Sequence, residues 1–437
     1  MVRATSVFTP TDIPTFTYVE RRNRNYENDL RRAFDIPKMI VSVSGPSKSG
    51  KTTLIRKVVT QDNLIHIYGA NVKAPDDLWT NVLAWMGGPI ETTETSGSKS
   101  GGTLSVAAGG EVGIPLVAKG QGTAQGAATH ESNSSVSKKI AISLLDQIVK
   151  EIGNSDFVIF IDDFHYIERS VREEIGKQIK AAAELGVRIC TASVPHRADD
   201  VVRSNTELRG RVTAIDMAYW SVEELEEIAY RGFRELNVDL APKLLRALAS
   251  EAFGSPQLMQ AISLNFCFEM NIGEKLETHI RLDETETTIR KVLERTSTTT
   301  DFSTMLTALH AGPKQRGTER KRFEFADNTT GDVYRCVLLA IKEDPPALSL
   351  SYEQILNRAA KICKGDTPVG SSISESLKQM DGLAKVVQTA SVIEWDENVL
   401  DIVEPYFLFF CAALHLSRSL PTPHKPALAT ALLHSQT

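Results

Sequence analysis

The chain has 437 residues and a formal charge of −6, with 42% hydrophobic and 24% charged residues. At about 150 residues per domain, this length predicts roughly three domains of ordinary globular composition. The negative charge argues against a surface that coats nucleic acid without sequence preference, because such a surface needs clustered cations. The sequence has no apolar stretch long enough to span a bilayer and no secretion signal, and its scattered cysteines are typical of reduced core thiols. We therefore expect a cytoplasmic protein that does not contact membranes.

The first half of the chain alternates strand and helix patterns. Short β-branched or apolar runs predict strands, and apolar residues at helical spacing predict helices between them. The predicted strands are 39–43, 64–68, 157–161, 187–191 and 212–215, and the predicted helices include 76–86, 139–152 and 170–185. Strands interleaved with helices predict an α/β domain over residues 1–219, built on the parallel sheet of a P-loop NTPase.

An insertion interrupts this domain at about residues 90–138. The segment consists mainly of Gly, Ser, Thr and Ala, and it has too few large apolar residues to form a hydrophobic core. We interpret it as either a flexible loop or a hairpin-forming excursion.

The second half of the chain is predicted to be mainly helical. Strand patterns stop after Trp220, and helical patterns over 220–295 predict a helical lid. Residues 296–331 are expected to form a polar linker, and 421–437 a tail. Between them, residues 332–420 show three helical patterns followed by alternating segments at 385–389 and 391–395, which predicts a winged helix. The linker carries a basic cluster formed by Lys314, Arg316, Arg320, Lys321 and Arg322.

The glycine-rich segment GPSKSGKT, Gly45–Thr52, fits the pattern GxxxxGK[ST] of a phosphate-binding loop, or P-loop. Its glycines let consecutive backbone N–H groups curl around phosphates, and Lys51 is expected to neutralise the β and γ oxygens. The helix that follows adds the positive end of its dipole, and the Thr52 hydroxyl is a ligand for Mg²⁺. The residues predicted to bind the triphosphate are Gly45, Pro46, Ser47, Lys48, Ser49, Gly50, Lys51, Thr52 and Thr53.

The acidic pair Asp162 and Asp163 directly follows a predicted buried strand. In this arrangement Asp162 would hold Mg²⁺ through water, and Asp163 would polarise the water that attacks the γ-phosphate. Most hydrolysing relatives have Glu at the second position, so the shorter Asp163 leaves the hydrolysis rate open. A second interpretation gives Asp163 no catalytic role. The sequence contains no NKxD tetrapeptide, which is the usual element that recognises guanine, so ATP is favoured over GTP.

Over about residues 17–268 the chain resembles the AAA+ and STAND divisions of the additional-strand P-loop ATPases. The resemblance rests on GPSKSGKT, FVIFIDDFHYI, RICTASVPH, LRGRV and FGSPQLMQA. It implies that Ser193 or Thr191 senses the γ-phosphate, and that Arg209 or Arg211 reaches the nucleotide of a neighbouring subunit. In the lid, AAA+ proteins usually have an arginine near the start of a helix, whereas STAND proteins have a G-x-P turn. This chain has the turn Gly254-Ser255-Pro256 with no arginine in the next ten residues, which favours STAND. The segment around Arg21 matches the place where such ATPases contact adenine.

The C-terminal region resembles the winged helix that follows many of these ATPases, and its segment from Glu404 resembles their closing acidic-Pro-aromatic sequence. Residues 332–420 contain twelve acidic and eight basic side chains, and the predicted third helix offers only Lys378 and Gln379 to base edges. The net negative charge and the lack of base-contacting side chains favour a role for this region in packing against the ATPase domain and holding it in one state, as opposed to reading DNA.

Three interpretations of function follow. The first is a STAND-type ATPase switch that controls homo-oligomerisation or a separate effector protein, and the resemblance implies a role in defence against phage. The second is an AAA+ regulator of DNA transactions, such as transposition or replication initiation, which would bind nucleic acid through Lys314–Arg322. The third is a nucleotide-binding scaffold with little hydrolysis.

Overall fold

The computed structural model describes most of the chain outside the predicted insertion and the predicted tail. The described residues are 1–21, 24–87, 144–194, 208, 210–283, 286–298, 302–313, 319–343, 345–387, 392–396 and 398–413. The insertion expected at about 90–138, the tail at 421–437 and Arg209 lie outside these ranges.

Five parallel strands form the central sheet of the N-terminal domain, in the order β2-β3-β4-β1-β5. They are β1 (Ile40–Ser44), β2 (Leu64–Tyr68), β3 (Val158–Asp162), β4 (Arg188–Ser193) and β5 (Val212–Asp216). All five strands overlap the predicted ones, and the predicted α/β fold with the parallel sheet of a P-loop NTPase is confirmed. Because the strands are parallel, the carboxyl ends of β1, β3 and β4 meet at one edge.

Helices cover both faces of this sheet, and the alternating side chains of the strands form a separate apolar core on each face. On one face Ile40, Ile159 and Ile161 pack with Trp79. On the other face Val41, Val43 and Phe160 pack with Leu54. The helices of this domain are Tyr26–Asp35, Lys51–Val58, Pro75–Trp85, residues 144–152 and Arg169–Glu184.

The lid follows the sheet and is built mainly from helices Val222–Glu235, Pro242–Ser250, Pro256–Glu269 and Glu286–Thr298. The prediction that strands stop after Trp220 is wrong, because β6 (Val238–Leu240) pairs in parallel with β7 (Ile280–Leu282). Three-residue strands are too short to show a periodicity in the sequence. The N-terminal segment, which includes the short helix Ala4–Val7, packs on the lid, with the rings of Phe8 and Phe233 5.0 Å apart.

The segment expected to be a polar linker, 296–331, differs from that expectation. It contains the helix Ser303–Ala311 and the two-residue strands β8 (Phe323–Glu324) and β9 (Thr330–Gly331). Phe302, Met305 and Leu309 are buried in the same apolar core as the lid. Their spacing is helical, but the polar residues on either side obscure it in the sequence.

The C-terminal module, residues 333–413, combines four helices with a small three-stranded sheet. Its helices are Val333–Lys342, Tyr352–Ile362, Gly370–Val387 and Pro405–Ala413, and its antiparallel sheet is formed by β10 (Ser349–Ser351), β11 (Ile393–Asp396) and β12 (Val399–Ile402). Residues 385–387 of the alternating segment expected at 385–389 are helical, because the third helix continues to Val387. All five cysteines are free. Within the described residues, no helix is both long enough and apolar enough to cross a membrane.

Candidate functional site

The P-loop, residues 45–52, connects the carboxyl end of β1 to the helix Lys51–Val58, which we call the P-loop helix. Its first residue must be glycine, since a Cβ atom on Gly45 would lie 2.8 Å from Cβ of Met217. The backbone is left-handed at Lys48, with φ of 58°, and at Gly50, with φ of 97°. The loop therefore turns sharply where consecutive N–H groups are expected to face phosphates.

The amine of Lys51 lies inside this loop. Its Nζ atom donates hydrogen bonds to the carbonyl oxygens of Gly45 and Pro46, both at 2.9 Å, and the residue is only 7% exposed. Burial lowers the pKa of Lys51, and the neighbouring carboxylates of Asp162 and Asp163 oppose this effect. The structure thus holds a cation in a nearly dry loop, where an anion gains more from it than in water.

Thr52 and Asp162, the two residues predicted to hold magnesium, lie in direct contact. Asp162 ends β3, and its Oδ2 atom accepts a hydrogen bond of 2.7 Å from Oγ1 of Thr52. Burial raises the pKa of Asp162, but hydrogen bonds from His66 and Thr52 outweigh burial, so the pKa is below its ordinary value. A hydroxyl and an ionised carboxylate are the hard oxygen donors that Mg²⁺ prefers, so this pair fits the ion.

Asp163 stands at a bend directly after β3. Its backbone is left-handed, with φ of 53°, and its N–H donates to Oδ1 of Asp162 at 3.0 Å. Burial, followed by the charge of Asp162, raises the pKa of Asp163. The bend packs tightly against Gly69, where a Cβ atom would lie 2.4 Å from the carbonyl oxygen of Asp163. Glycine at position 69 is therefore what lets the acidic pair take this position.

Of the two predicted sensor residues, Ser193 lies at the edge of the site. It ends β4 next to Ser44 of β1, and its carbonyl oxygen accepts a hydrogen bond of 3.2 Å from the N–H of Gly45. Its hydroxyl is buried and has no hydrogen-bond partner among the described residues. Thr191 lies two residues earlier in the same strand and is 1% exposed. Ser193 is thus the better placed of the two.

Arg21, the predicted adenine contact, lines the cavity of the site and is also bound to the start of the lid. Its guanidinium group donates to the carboxylate of Glu224 and to the carbonyl oxygens of Ala218 and Tyr219, at 2.7–2.9 Å. It also lies 5.0 Å from the ring centroid of Trp220, and the residue is only 4% exposed. Because all three nitrogens already donate to protein acceptors, Arg21 joins the N-terminal segment to the start of the lid.

The P-loop and the acidic pair open into a cavity of about 650 Å³. The N-terminal segment from Thr9 to Pro14 forms one wall, and the start of the helix Pro256–Glu269 forms another. Thr53 of the P-loop helix and Pro256 also line the cavity. The cavity has room for a nucleotide, since ligand pockets are typically about 300–1,000 Å³.

Three residues outside the predicted site set contact the P-loop, and they are Glu404, Tyr406 and Trp220. Glu404 of the C-terminal module lines the cavity and forms an ion pair with Lys48, with Nζ and Oε2 2.5 Å apart. The amine of Lys48 also lies 5.1 Å from the ring centroid of Tyr406. Trp220, at the start of the lid, donates from Nε1 to the carbonyl oxygen of Ser49 at 2.8 Å.

Of the two arginines predicted to reach a neighbouring subunit, only Arg211 falls within the described residues. Arg209 lies outside the described residues. Arg211 directly precedes β5, its side chain is 43% exposed, and its guanidinium pairs with Glu184. It is absent from the described lining of the cavity.

No protein-family model matches the chain, and no curated protein matches it significantly. Solved structures of similar fold include the ORC2 protein of Aeropyrum pernix in its ADPNP–ADP complexes, with 12% identity, a TM-score of 0.48, and coverage of 94% of this chain and 96% of that one. A Walker-type ATPase of Pyrococcus abyssi has 12% identity, a TM-score of 0.48 and coverage of 91% and 99%. Cdc6p of Pyrobaculum aerophilum has 11% identity, a TM-score of 0.42 and coverage of 95% and 98%. These likenesses concern the fold alone.

Proposed function

We propose that the chain binds ATP with Mg²⁺ and hydrolyses it. The observation that carries this proposal is the cluster of Lys51, Thr52 and Asp162 at the carboxyl edge of the sheet. Lys51 would neutralise the β and γ oxygens, while Thr52 and Asp162 would hold the ion. Magnesium bound there would offset charge on the phosphates during transfer.

The chain's own residues would prepare the attack of water on the γ-phosphate. Asp163 faces the same cavity as Lys51 and is held by the close approach of Gly69. Its carboxylate would orient the water and accept its proton, and the hydroxyl of Ser193 would mark the position of the γ-phosphate. The test is to compare ATP turnover by the wild type and by Asp163→Asn, and we expect turnover only in the wild type. Equal turnover in both proteins would exclude this role for Asp163. The turnover rate of the wild type would then decide whether the protein is a scaffold with little hydrolysis.

We further propose that nucleotide binding is coupled to the docking of the C-terminal module, as in a STAND-type switch. The ion pair between Lys48 and Glu404 supports this coupling, because it places a carboxylate of the module on a cation of the P-loop. A triphosphate competes for the same amine and repels that carboxylate. Nucleotide and module therefore oppose each other at this contact, and coupling of this kind is reciprocal.

The consequence of such a switch would be controlled self-association or release of a separate effector protein. Support for self-association comes from the sequence resemblance at Arg209 and Arg211, and the side chain of Arg211 is 43% exposed although its guanidinium pairs with Glu184. A role in defence against phage has support only from the sequence resemblance. Light scattering with ATP, with ADP and without nucleotide would test the proposal, and the same mass in all three states would contradict controlled self-association.

No feature of the described residues favours the DNA-regulator interpretation. Lys314 and Arg316 of the basic cluster lie outside the described residues. Arg320 donates to Asp332 and to the carbonyl oxygens of Ala311 and Pro313, and Lys321 pairs with Asp366. These two side chains of the cluster therefore already pair with groups of the protein.

A further inference from the structure

A chain of polar contacts lies behind Asp162, on the face of the sheet that the P-loop helix covers. Arg56 stands one helical turn after Thr52, and its Nη2 atom lies 3.0 Å from Nδ1 of His66. The other ring nitrogen of His66, Nε2, lies 3.3 Å from Oδ2 of Asp162. That oxygen is the one that accepts the hydrogen bond from Thr52.

Packing fixes the position of the His66 ring. His66 of β2 pairs in register with Phe160 of β3, and Tyr68 pairs with Asp162, so all four side chains lie on one face. The ring stacks on Phe160 at 4.9 Å and contacts Tyr68 at 4.4 Å. The side chains of His66 and Asp162 are only 11% and 10% exposed, which leaves little room for water between them.

Arg56 determines which ring nitrogen carries the proton. A guanidinium group has donors and no acceptor, so Nδ1 of His66 must be the acceptor in their contact. The proton of the neutral ring therefore lies on Nε2 and is donated to Asp162. Because Oδ1 of Asp162 accepts from the N–H of Asp163, both oxygens of the carboxylate are held.

We infer that His66 is a positioning residue for Asp162 and that Arg56 fixes the tautomer that makes this possible. The inference rests on the proposed function in one respect, the assignment of Asp162 as a residue that holds Mg²⁺ through water. The contacts themselves do not depend on it. Hydrogen-bond partners of metal ligands orient those ligands, and removing such a partner typically weakens metal affinity about 10–100-fold.

The test compares His66→Ala with His66→Gln, whose amide can still donate to Asp162. The Mg²⁺ affinity of the ADP complex is measured by titration, and Mn²⁺ bound with ADP is counted by electron paramagnetic resonance. We expect His66→Ala to weaken Mg²⁺ binding about 10–100-fold, His66→Gln to recover part of the loss, and the affinity for ADP in EDTA to be unchanged. The matched control is His279→Ala, which removes a histidine whose Nε2 lies 3.2 Å from Asp239 in the lid.

Unchanged Mg²⁺ affinity in folded His66→Ala would overturn the inference. So would an equal loss in His66→Gln, or a loss of ADP affinity in EDTA, because each points to general damage to the pocket. If the wild-type protein binds no nucleotide, the proposed function fails, but the inference about His66 can still be tested by nitrogen NMR of its imidazole ring. We predict the Nε2–H tautomer of His66 in the wild type and a mixture of tautomers in Arg56→Ala. The Nδ1–H tautomer in the wild type would refute the inference.

Discussion

Replacing Glu404 by glutamine should raise the affinity for MgATP, although Glu404 lies in the C-terminal module. The substitution keeps the size of the side chain and removes its charge, which breaks the ion pair with Lys48. The amine of Lys48 then becomes available to phosphate oxygens. A negative charge beside the triphosphate is also lost, so both effects act in the same direction.

The expected size follows from the exposure of the pair. Fully exposed ion pairs contribute about 0.2–1 kcal/mol. Lys48 and Glu404 are 31% and 20% exposed, so we place their pair at the upper end of that range, near 1 kcal/mol. Because about 1.4 kcal/mol corresponds to a tenfold change, the affinity should rise about fivefold. The gain should shrink as salt is added, since the site opens to solvent.

Two assays check this prediction. Calorimetry gives the affinity for MgATP, and hydrogen exchange over residues 399–413 shows whether the C-terminal module is released from the P-loop. Glu343→Gln is a matched control, because it breaks the ion pair with Lys361 within the same module. Unchanged or weaker binding by Glu404→Gln, with exchange like that of the control, would refute the proposed competition.

Three further substitutions test the acidic pair and the proposed assembly. Asp163→Asn should keep nucleotide affinity and lose turnover, because an amide does not accept the proton of water, and full turnover in a phosphate-release assay would contradict this. Gly69→Ala should lower kcat at least about tenfold with a smaller change in ATP affinity, because the new methyl group displaces Asp163. Equal kcat values for the variant and the wild type would show that the close approach of Gly69 does not fix the position of Asp163. Arg211→Ala should remove any turnover that rises with protein concentration, and mixing it with the Asp163 variant should partly restore activity. A constant specific activity across a dilution series would exclude a shared site.

The strands and the P-loop could be predicted from the sequence because their signals are local. A β-branched run followed by GPSKSGKT identifies β1, the turn and the start of the P-loop helix within a short segment. Asp162 and Asp163 follow another such run. Since parallel strands carry their active groups at one edge, the grouping of these residues follows from the sheet.

The other contacts of the site could not be predicted, because they join residues far apart in the chain. Glu404 lies 356 positions from Lys48, and no local pattern relates the two. Arg21 matches an adenine contact by position, but its partners come from the start of the lid. His66 did leave a signal, since a polar residue alternates with apolar ones in β2. Its partner on the P-loop helix is visible only in three dimensions.

The central claim is that the P-loop holds ATP through the buried amine of Lys51, and MgATP binding by Lys51→Ala tests it most directly. Removing a charge-assisted contact worth about 1.5–3 kcal/mol predicts a loss of affinity of at least about tenfold. Lys177→Ala, which removes an exposed lysine paired with Glu174, should bind as wild type does. The account predicts tight binding by wild type and the control and weak binding by a folded Lys51→Ala. Equal affinities in all three proteins, or no binding by wild type, would contradict it.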